Sequence, residues 1–303
     1  MPSLKILDAS GVSLDMNLVQ RIKNHLYYYK KIKVLDLSYC NLNDEMCNDL
    51  AVGIMKAKGL AKLYIAGNNM VKGLSSILYN LAFQPAIKFI DISNNQKCDK
   101  KETSTSLHKL VRMSQTVETI IDNNIPGLNN ALTNDFYYAI GDNNNLSYLD
   151  LSYNGNLSNI VKLGTAIAFN ALKNGSLSYL DISGCIDGHY NFNNFIKSMG
   201  ISEDEHNEWY GFQFNSNISK DSPEYYNKIF HCNLQTLVLK DSKVEDADNI
   251  NYENYMKIIL NKSHNLDTLI LDNCNHNKYF IDSIQKQLNL KIIYYISLFQ
   301  IAE

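Results

Sequence analysis

The residues with the most evident capacity for chemistry form one acidic cluster that also contains a histidine. It comprises Glu203, Asp204, Glu205, His206 and Glu208. Carboxylates and imidazoles can bind metal ions, or can transfer protons as general acids and bases. Side chains of adjacent residues point apart, however, and no second cluster elsewhere in the chain completes a site. The pattern therefore favours a solvated loop over a metal or acid–base centre.

Familiar catalytic motifs are absent from the chain. It contains no phosphate-binding loop, dinucleotide fingerprint, zinc-protease helix or nucleophile elbow. The seven histidines lack ligand spacing. The six cysteines include no Cys-x-x-Cys pair, which favours reduced thiols over a disulfide framework. We therefore predict that the protein is not an enzyme and that it binds no metal and no cofactor.

Composition narrows the classes of partner. The 28 lysines and arginines nearly balance the 31 aspartates and glutamates, and only Arg21 and Arg112 are arginines. Because base readout and bidentate phosphate contacts rely on arginine, we predict no nucleic-acid binding. The chain has no apolar run of about 18 residues and no secretory signal at its start, so we expect no membrane span and a cytoplasmic location. We also expect a monomer.

A recurring pattern accounts for most of the remaining residues. The segment from Ile32 reads IKVLDLSYCNLN, that from Leu146 reads LSYLDLSYNGNL, and that from Leu177 reads LSYLDISGCIDG. Each fits L-x-x-L-x-L-x-x-N/C-x-L, and we number the positions of a copy from its first residue. We place eleven copies in the chain. They start at residues 4, 32, 60, 87, 117, 146, 177, 209, 234, 266 and 290.

Three of these copies depart from the pattern. In the copy that starts at residue 117, Asp122 replaces the third apolar residue. The copy that starts at Trp209 has Phe212 and Phe214 at leucine positions, and we expect it to form the eighth strand. The last copy, from Leu290, is degenerate.

The pattern predicts a short strand in each copy, because alternate side chains of a strand point to opposite faces. The stretches between strands, such as 14–28 and 44–58, carry apolar residues at helical spacing. Position 9 turns the chain off the strand, and its asparagine or cysteine is expected to bond exposed backbone between neighbouring copies. These ladder residues are Cys40, Asn68, Asn95, Asn154, Cys185, Asn217 and Cys274.

The pattern resembles the leucine-rich repeat family over nearly the whole chain, and its period of roughly 28 residues resembles the ribonuclease-inhibitor-like subclass. That resemblance implies an α/β fold. Its form would be a right-handed horseshoe solenoid with a parallel β-sheet on the concave side and α-helices on the convex side. About eleven repeats would then occupy a single domain, residues 1–303.

On the concave face, the side chains at positions 3 and 5 of each strand are expected to reach solvent. Copies one to seven place five aspartates at position 5 among aromatic residues. Because LDLS is common in the family, each aspartate is either repeat consensus or a binding residue. A carboxylate beside a tyrosine suits lysine or arginine through ion pairing and cation–π contact. The predicted protein-binding residues are Asp36, Tyr39, Tyr64, Phe89, Asp91, Tyr148, Asp150, Tyr153, Tyr179 and Asp181.

The resemblance implies a non-catalytic protein-interaction scaffold, and the acidic face predicts a partner with a basic surface. An alternative is a regulator of a partner enzyme, similar to the inhibitors or GTPase activators of this subclass. Stand-alone repeat proteins of this composition also resemble translocated virulence effectors of intracellular bacteria, which act in the host cytosol, and cytosolic proteins of protists. At the centre of the face, we expect Asp150 and Asp181 to point into solvent.

Overall fold

Short strands alternate with helices along most of the described chain. The computed structural model describes residues 4–173, 175–186, 194–195, 198–201, 229–230, 232–242, 265–271 and 291–293. The acidic cluster at residues 203–208 lies outside these ranges.

Ten strands of the described residues form one parallel sheet. Each strand pairs with the next at equivalent positions, as Leu35 does with Leu63 and Leu149 does with Leu180. The first nine strands of this sheet each span positions 3 to 5 of a repeat copy. The strands are β1 (Ile6–Asp8), β2 (Val34–Asp36), β3 (Lys62–Tyr64), β4 (Phe89–Asp91), β5 (Thr119–Ile121), β6 (Tyr148–Asp150), β7 (Tyr179–Asp181), β10 (Thr236–Val238), β11 (Thr268–Ile270) and β12 (Lys291–Ile293).

Helices connect the first seven strands and pack against one another in chain order. Several begin at a side-chain cap: Asp15, Asn43 and Asp99 each accept a hydrogen bond from the backbone N–H three residues later. Among the described residues, no helix combines the length and hydropathy needed to cross a bilayer. The helices are α1 (Met16–Tyr29), α2 (Asp44–Lys56), α3 (Gly73–Leu81), α4 (Lys100–Met113), α5 (Leu128–Ala131), α6 (Asn134–Asp142) and α7 (Ile160–Lys173).

One apolar core runs along the sheet between the strands and the helices. Leu35, Leu63 and Ile90, at position 4 of successive copies, are fully buried, and so are Leu50 of α2 and Leu78 of α3. Each such side chain contributes about 1.5–3 kcal/mol of transfer free energy. Because strand side chains alternate, positions 3 and 5 project from the opposite face of the sheet. The described residues thus form an α/β solenoid, as the resemblance to leucine-rich repeats implies.

The predicted asparagine ladder joins neighbouring coils. The Oδ1 atom of Asn68 accepts hydrogen bonds of 3.0 Å from the backbone N–H groups of Cys40 and Leu42, and its Nδ2 donates to the carbonyl of Leu37. The N–H of Asn68 in turn donates to Oδ1 of Asn95. Each amide therefore satisfies backbone groups that the stacking of coils removes from water.

The ladder cysteines act as buried thiols, as predicted. Sγ of Cys40 and Sγ of Cys185 each donate to a backbone carbonyl of the preceding coil, at 3.0 and 3.2 Å. Burial raises the pKa of Cys185 to about 12, and it also raises the pKa of Cys40. Both are neutral at pH 7 and unsuited to nucleophilic chemistry. Two further predicted ladder residues, Asn217 and Cys274, lie outside the described residues.

The prediction of a strand between the seventh and ninth copies is wrong. Strand β7 pairs directly with β10, and Tyr179 lies opposite Thr236 in the register. No position remains between them for a strand from the copy that starts at Trp209. Trp209 itself, with Phe212 and Phe214, lies outside the described residues.

The segment between β7 and β10 contains an element that a parallel coil cannot include. Strands β8 (Gly200–Ile201) and β9 (Ile229–Phe230) pair antiparallel in a separate two-stranded sheet. The interval between the copies that start at residues 177 and 234 is about two periods long. That length is not evidence for two coils, because the two-stranded sheet of β8 and β9 occupies part of the interval.

The register of the last predicted copy is shifted by one residue. Lys291, rather than Ile292, pairs with Thr268 at position 3, and Ile293 takes position 5 in place of the predicted Tyr294. The sequence LKIIYYI offers apolar residues in either register, so the pattern alone does not select one.

Asp122 occupies the apolar column at position 6 and is completely buried. The equivalent residues in the flanking copies are Ile92 and Leu151, both fully buried. Its Oδ1 accepts a hydrogen bond of 2.8 Å from Nδ2 of Asn154, whereas its Oδ2 has no hydrogen-bond partner among the described residues. Burial raises the pKa of Asp122 well above its ordinary value, and the nearby Asp150 raises it further. The copy thus contains a carboxyl group that resists ionisation.

Replacing Asp122 with leucine should raise the free energy of unfolding at pH 7 by about 1–3 kcal/mol, because it removes a buried oxygen without a partner. The raised pKa means that the folded chain binds more protons than the unfolded chain above about pH 4, so wild-type stability falls as pH rises from there. The stability that the leucine variant gains over wild type should consequently become smaller as the pH falls toward 4. Urea unfolding at several pH values measures both effects, with Asp122→Asn as a non-titrating control. A leucine variant that is less stable than wild type at pH 7 would show that the carboxyl group is stabilising.

Candidate functional site

The predicted binding residues lie on the sheet face opposite the helices. We call this surface, formed by positions 3 and 5 of the strands, the open face. Eight of the ten predicted residues occupy it in two groups, one on β2 to β4 and one on β6 and β7. Strand β5 separates the groups with Thr119 and Ile121 at the same positions. The other two, Tyr39 and Tyr153, follow their strands at position 8.

The first group places an aromatic pair between two carboxylates. In the register of the sheet, Tyr64 lies between Asp36 and Asp91. The ring centroids of Tyr64 and Phe89 are 4.7 Å apart, with the planes tilted by 38°. Burial raises the pKa of Tyr64, and the carboxylates of Asp36 and Asp91 raise it further. Lys62 lies on the same face, with its ammonium group 5.8 Å from the Phe89 ring centroid.

The second group contains a stacked tyrosine pair beside two carboxyl groups. The rings of Tyr148 and Tyr179 lie 3.9 Å apart with an interplanar angle of 7°. Burial raises the pKa of both tyrosines, and the nearby carboxyl groups of Asp150 and Asp181 raise it further. Asp150 and Asp181 lie opposite each other at the next open-face position. The group is thus a rigid aromatic surface with acidic groups at its side.

Each aspartate at position 5 stabilises the turn that follows its strand, and the sequence pattern alone does not show this role. In every case Oδ1 accepts a hydrogen bond from the backbone N–H of the serine two residues later, at 2.9 Å. This turn ends the strand and directs the chain toward the ladder position. One oxygen of each carboxylate therefore belongs to the repeat, which leaves only the second oxygen, Oδ2, for any other contact. The aspartates are Asp8, Asp36, Asp91, Asp150 and Asp181.

The expectation that Asp150 points into solvent is wrong. Its exposed fraction is only 6%. Its Oδ1 accepts from the N–H and hydroxyl of Ser152, and its Oδ2 accepts from Nδ2 of Asn123 at 3.0 Å. Asn123 stands at position 7, where five other copies have serine, and its longer side chain reaches across to the neighbouring strand. Both oxygens of Asp150 are thus in use within the fold.

Asp181 is half-buried and retains an oxygen beyond its serine turn. Burial raises the pKa of Asp181; the hydrogen bonds from Ser183 oppose that shift, and the neighbouring Asp150 adds to it. A cation placed at this carboxyl group would favour its ionised form. Asp181 therefore remains a candidate binding residue, whereas Asp150 supports the fold.

Position 8 has a left-handed backbone in every copy where the structure describes it, with φ between 50° and 72°. Glycine, asparagine and aspartate tolerate this conformation, but an aromatic residue is uncommon there. Tyr39 and Tyr153, each with φ of 57°, are the tyrosines held this way. The residues at position 8 are Gly11, Tyr39, Gly67, Asn94, Asn124, Tyr153, Gly184 and Asp241.

Both left-handed tyrosines lie across a glycine of the next coil and reach the coil after it. A Cβ atom added to Gly67 would lie 2.2 Å from the Tyr39 ring, and one added to Gly184 would lie 2.8 Å from the Tyr153 ring. The hydroxyl of Tyr39 accepts from Nδ2 of Asn94 at 3.2 Å, and that of Tyr153 donates to Oδ2 of Asp241. The sequence signal for this arrangement is a tyrosine at position 8 followed one period later by glycine. Each tyrosine, together with the glycine beneath it and its hydrogen-bond partner, thus joins three coils at the edge of the open face.

The described residues bring no cluster of metal-ligating side chains together. Within them, no group of three or more histidine, cysteine, aspartate or glutamate side chains could hold a metal ion.

Toward the last coils, the open face becomes apolar and threonine-rich, with Thr236, Val238, Thr268 and Ile270 at positions 3 and 5. Among the described strands, the acidic and aromatic residues of the face therefore lie on β1 through β7.

Comparisons with known proteins reach only part of this chain. No protein-family model matches it, and no curated protein matches it. The solved structures that are similar in part include the following two. A leiomodin-1 actin-binding site 2 domain is 15% identical, with a TM-score of 0.39, over 46% of this chain and 82% of its own. A tropomodulin C-terminal domain from Caenorhabditis elegans is 12% identical, with a TM-score of 0.36, over 45% of this chain and 86% of its own.

Proposed function

We propose that the chain is a non-catalytic scaffold whose open face, from β2 to β7, binds a protein with a basic surface. The observation that carries this proposal is the pairing of acidic and aromatic side chains in two groups on one face. Among the described residues, no metal-ligating cluster favours a catalytic function instead.

Two acidic groups of the open face, those of Asp36 and Asp91, are available to an external cation. Four ion pairs occur among the described residues, and none includes an open-face aspartate. Asp36 and Asp91 are only partly buried, and each uses Oδ1 in its serine turn. Their remaining oxygens flank Tyr64, so a lysine or arginine between them would meet two carboxylates and a ring face.

The aromatic groups are suited to serve as anchors, because they lose little freedom on binding. Tyr148 and Tyr179 are stacked before any partner arrives, and Tyr39 is held over Gly67. Tyrosine is frequent among the residues that dominate interface energetics. Strand spacing near 4.8 Å extends the acidic, aromatic part of the face over roughly 30 Å, which fits a helix or a small folded domain.

Two more specific functions, regulation of a partner enzyme and action as a translocated effector, remain predictions. A regulator of a partner enzyme would use the same face, and no separate observation favours it over a scaffold. Action as a translocated effector in a host cell rests on composition alone.

The test neutralises the accessible pair with Asp36→Asn and Asp91→Asn. Asparagine keeps the Oδ1 acceptor for Ser38 and Ser93, so the fold should be unchanged. Loss of two exposed charge interactions should weaken partner binding about tenfold at low salt and reduce its salt dependence. Proteins captured from a eukaryotic lysate are identified by mass spectrometry, and the affinity for each is then measured at low and high salt.

The matched control changes the same net charge on helix surfaces, with Glu45→Gln and Asp135→Asn, both exposed. It should retain wild-type binding. If the open-face variant binds every captured partner as tightly as the control does, the open face is not the binding site.

A further inference from the structure

The C-terminal ends of the first four helices meet at one edge of the solenoid. Because the sheet is parallel, every helix that returns the chain runs in a common direction, and α1 to α4 pack side by side in order. Neighbouring helices lie about 8–10 Å apart, so this edge is on the order of 30 Å wide. We call it the helix-end edge: residues 27–33, 52–58, 79–88 and 109–118.

The helix-end edge is strongly basic in a chain whose formal net charge is −3. Within these described residues the only acidic side chain is Glu118, which pairs with Lys88 at 2.5 Å. Seven of the basic side chains are exposed, and Lys109 is partly buried. The basic residues are Lys30, Lys31, Lys33, Lys56, Lys58, Lys88, Lys109 and Arg112.

The same edge exposes large apolar side chains on all four helix ends. Tyr28 is 71% exposed and Phe83 is 54% exposed, and Met55 and Met113 are each nearly half exposed. The ammonium group of Lys109 lies 3.9 Å from the ring centroid of Tyr79 and 5.5 Å from that of Phe83. Cationic and apolar groups are therefore interleaved on this surface rather than separated.

The helix dipole accounts for some of these charges but not for the apolar groups. Lys56 and Arg112 lie in the last turns of their helices, where a cation is stabilised by the partial negative charge of the carbonyl groups. The dipole gives no reason to expose Tyr28, Met55 or Phe83 to water. An apolar set framed by basic residues instead matches the composition of protein surfaces that lie in the headgroup region of a membrane.

We propose that the helix-end edge docks the protein peripherally on an anionic phospholipid surface. The lysines would face lipid phosphates and carboxylates, while Tyr28, Phe83 and the two methionines would enter the boundary between headgroups and acyl chains. A nucleic acid is less well matched, because methionine does not stack on bases as aromatic rings do and because the helix-end edge contains a single arginine, Arg112. The surface uses no residue of the open face, so a docked chain keeps that face free.

The test uses the whole chain and two kinds of vesicle, one of phosphatidylcholine and one of phosphatidylcholine with phosphatidylserine. Cosedimentation should show binding to the anionic vesicles, with little binding to the neutral ones. Lys31→Gln with Lys58→Gln removes two exposed charges and should weaken that binding about 30-fold. Tyr28→Ser with Phe83→Ser leaves the charge unchanged and should also weaken it, by about tenfold or more.

The control variant, Lys97→Gln with Lys101→Gln, makes the same charge change near the opposite end of α4, where both side chains are exposed. It should bind anionic vesicles like wild type. Equal losses in the control and in the helix-end lysine variant would overturn the proposal, as would the absence of vesicle binding. Retention on heparin or RNA without vesicle binding would assign the edge to an acidic macromolecule instead of a membrane. Vesicle binding that the Tyr28 and Phe83 changes leave intact would overturn the proposed insertion of apolar side chains, because charge alone would then hold the edge at the lipid surface.

Discussion

Replacing Asn68 with alanine should lower the free energy of unfolding by about 2–6 kcal/mol. The side chain bonds to the N–H groups of Cys40 and Leu42 and to the carbonyl of Leu37, all within the buried turn between coils. Alanine supplies neither an acceptor nor a donor, so at least two buried N–H groups lose their partner. Each such group costs about 1–3 kcal/mol. Urea unfolding followed by circular dichroism measures the change.

The adjacent residue provides a matched control for this prediction. Asn69 is exposed, and its side chain donates only to Oδ1 of Asn41. Asn69→Ala should therefore change the unfolding free energy by less than about 0.5 kcal/mol. Asn68→Cys should fall between the two, because cysteine holds the ladder position at Cys40 and can donate to a carbonyl. If Asn68→Ala and Asn69→Ala prove equally stable, the ladder does not hold the coils together.

Replacing Leu149 with alanine should cost about 2–5 kcal/mol, because it removes a fully buried side chain from the middle of the array and leaves a cavity. Leu180→Ala, at the same position of the next strand, should have a similar effect. Each coil of a solenoid contacts only its neighbours, so the damage should spread outward from the altered coil. Hydrogen exchange should show lost protection in the strands on both sides, β5 and β7 for Leu149→Ala.

The control for the core substitution is Leu172→Ala near the end of α7, where the leucine is 36% exposed. It should cost less than about 1 kcal/mol and leave exchange in the sheet unchanged, because little buried surface is lost. Full protection of β5 and β7 in a Leu149→Ala protein that has lost protection in β6 would contradict the nearest-neighbour picture.

The repeat pattern predicted the first seven coils, from β1 to β7. The spacing of Leu35 and Leu37 specifies a strand with one buried face, and the residues between copies specify a helix. The asparagine or cysteine at position 9 predicts the ladder that Asn68 and Asn95 form. These features were predictable because each depends on residues within one copy and on the next copy in the stack.

The open face was predictable as a location but not in its details. Alternation along a strand places Tyr64 and Asp91 on the same side, and the structure has them there. The burial of Asp150 was not predictable, because it depends on Asn123, which belongs to a different coil. The left-handed backbone at Tyr39 was likewise missed, although glycine, asparagine and aspartate recur at position 8 of other copies.

By itself, the sequence determined the repeating unit: a buried leucine pattern, a polar ladder and an acidic, aromatic strand face. The tertiary structure alone decided that β7 lies beside β10, that Lys291 rather than Ile292 pairs with Thr268, and that the basic ends of four helices converge on one edge. The physical reason is the range of the interactions. Periodic burial is encoded in residue spacing within a coil, whereas the choice of neighbouring coil, and the contacts made there, arise between residues far apart in the chain.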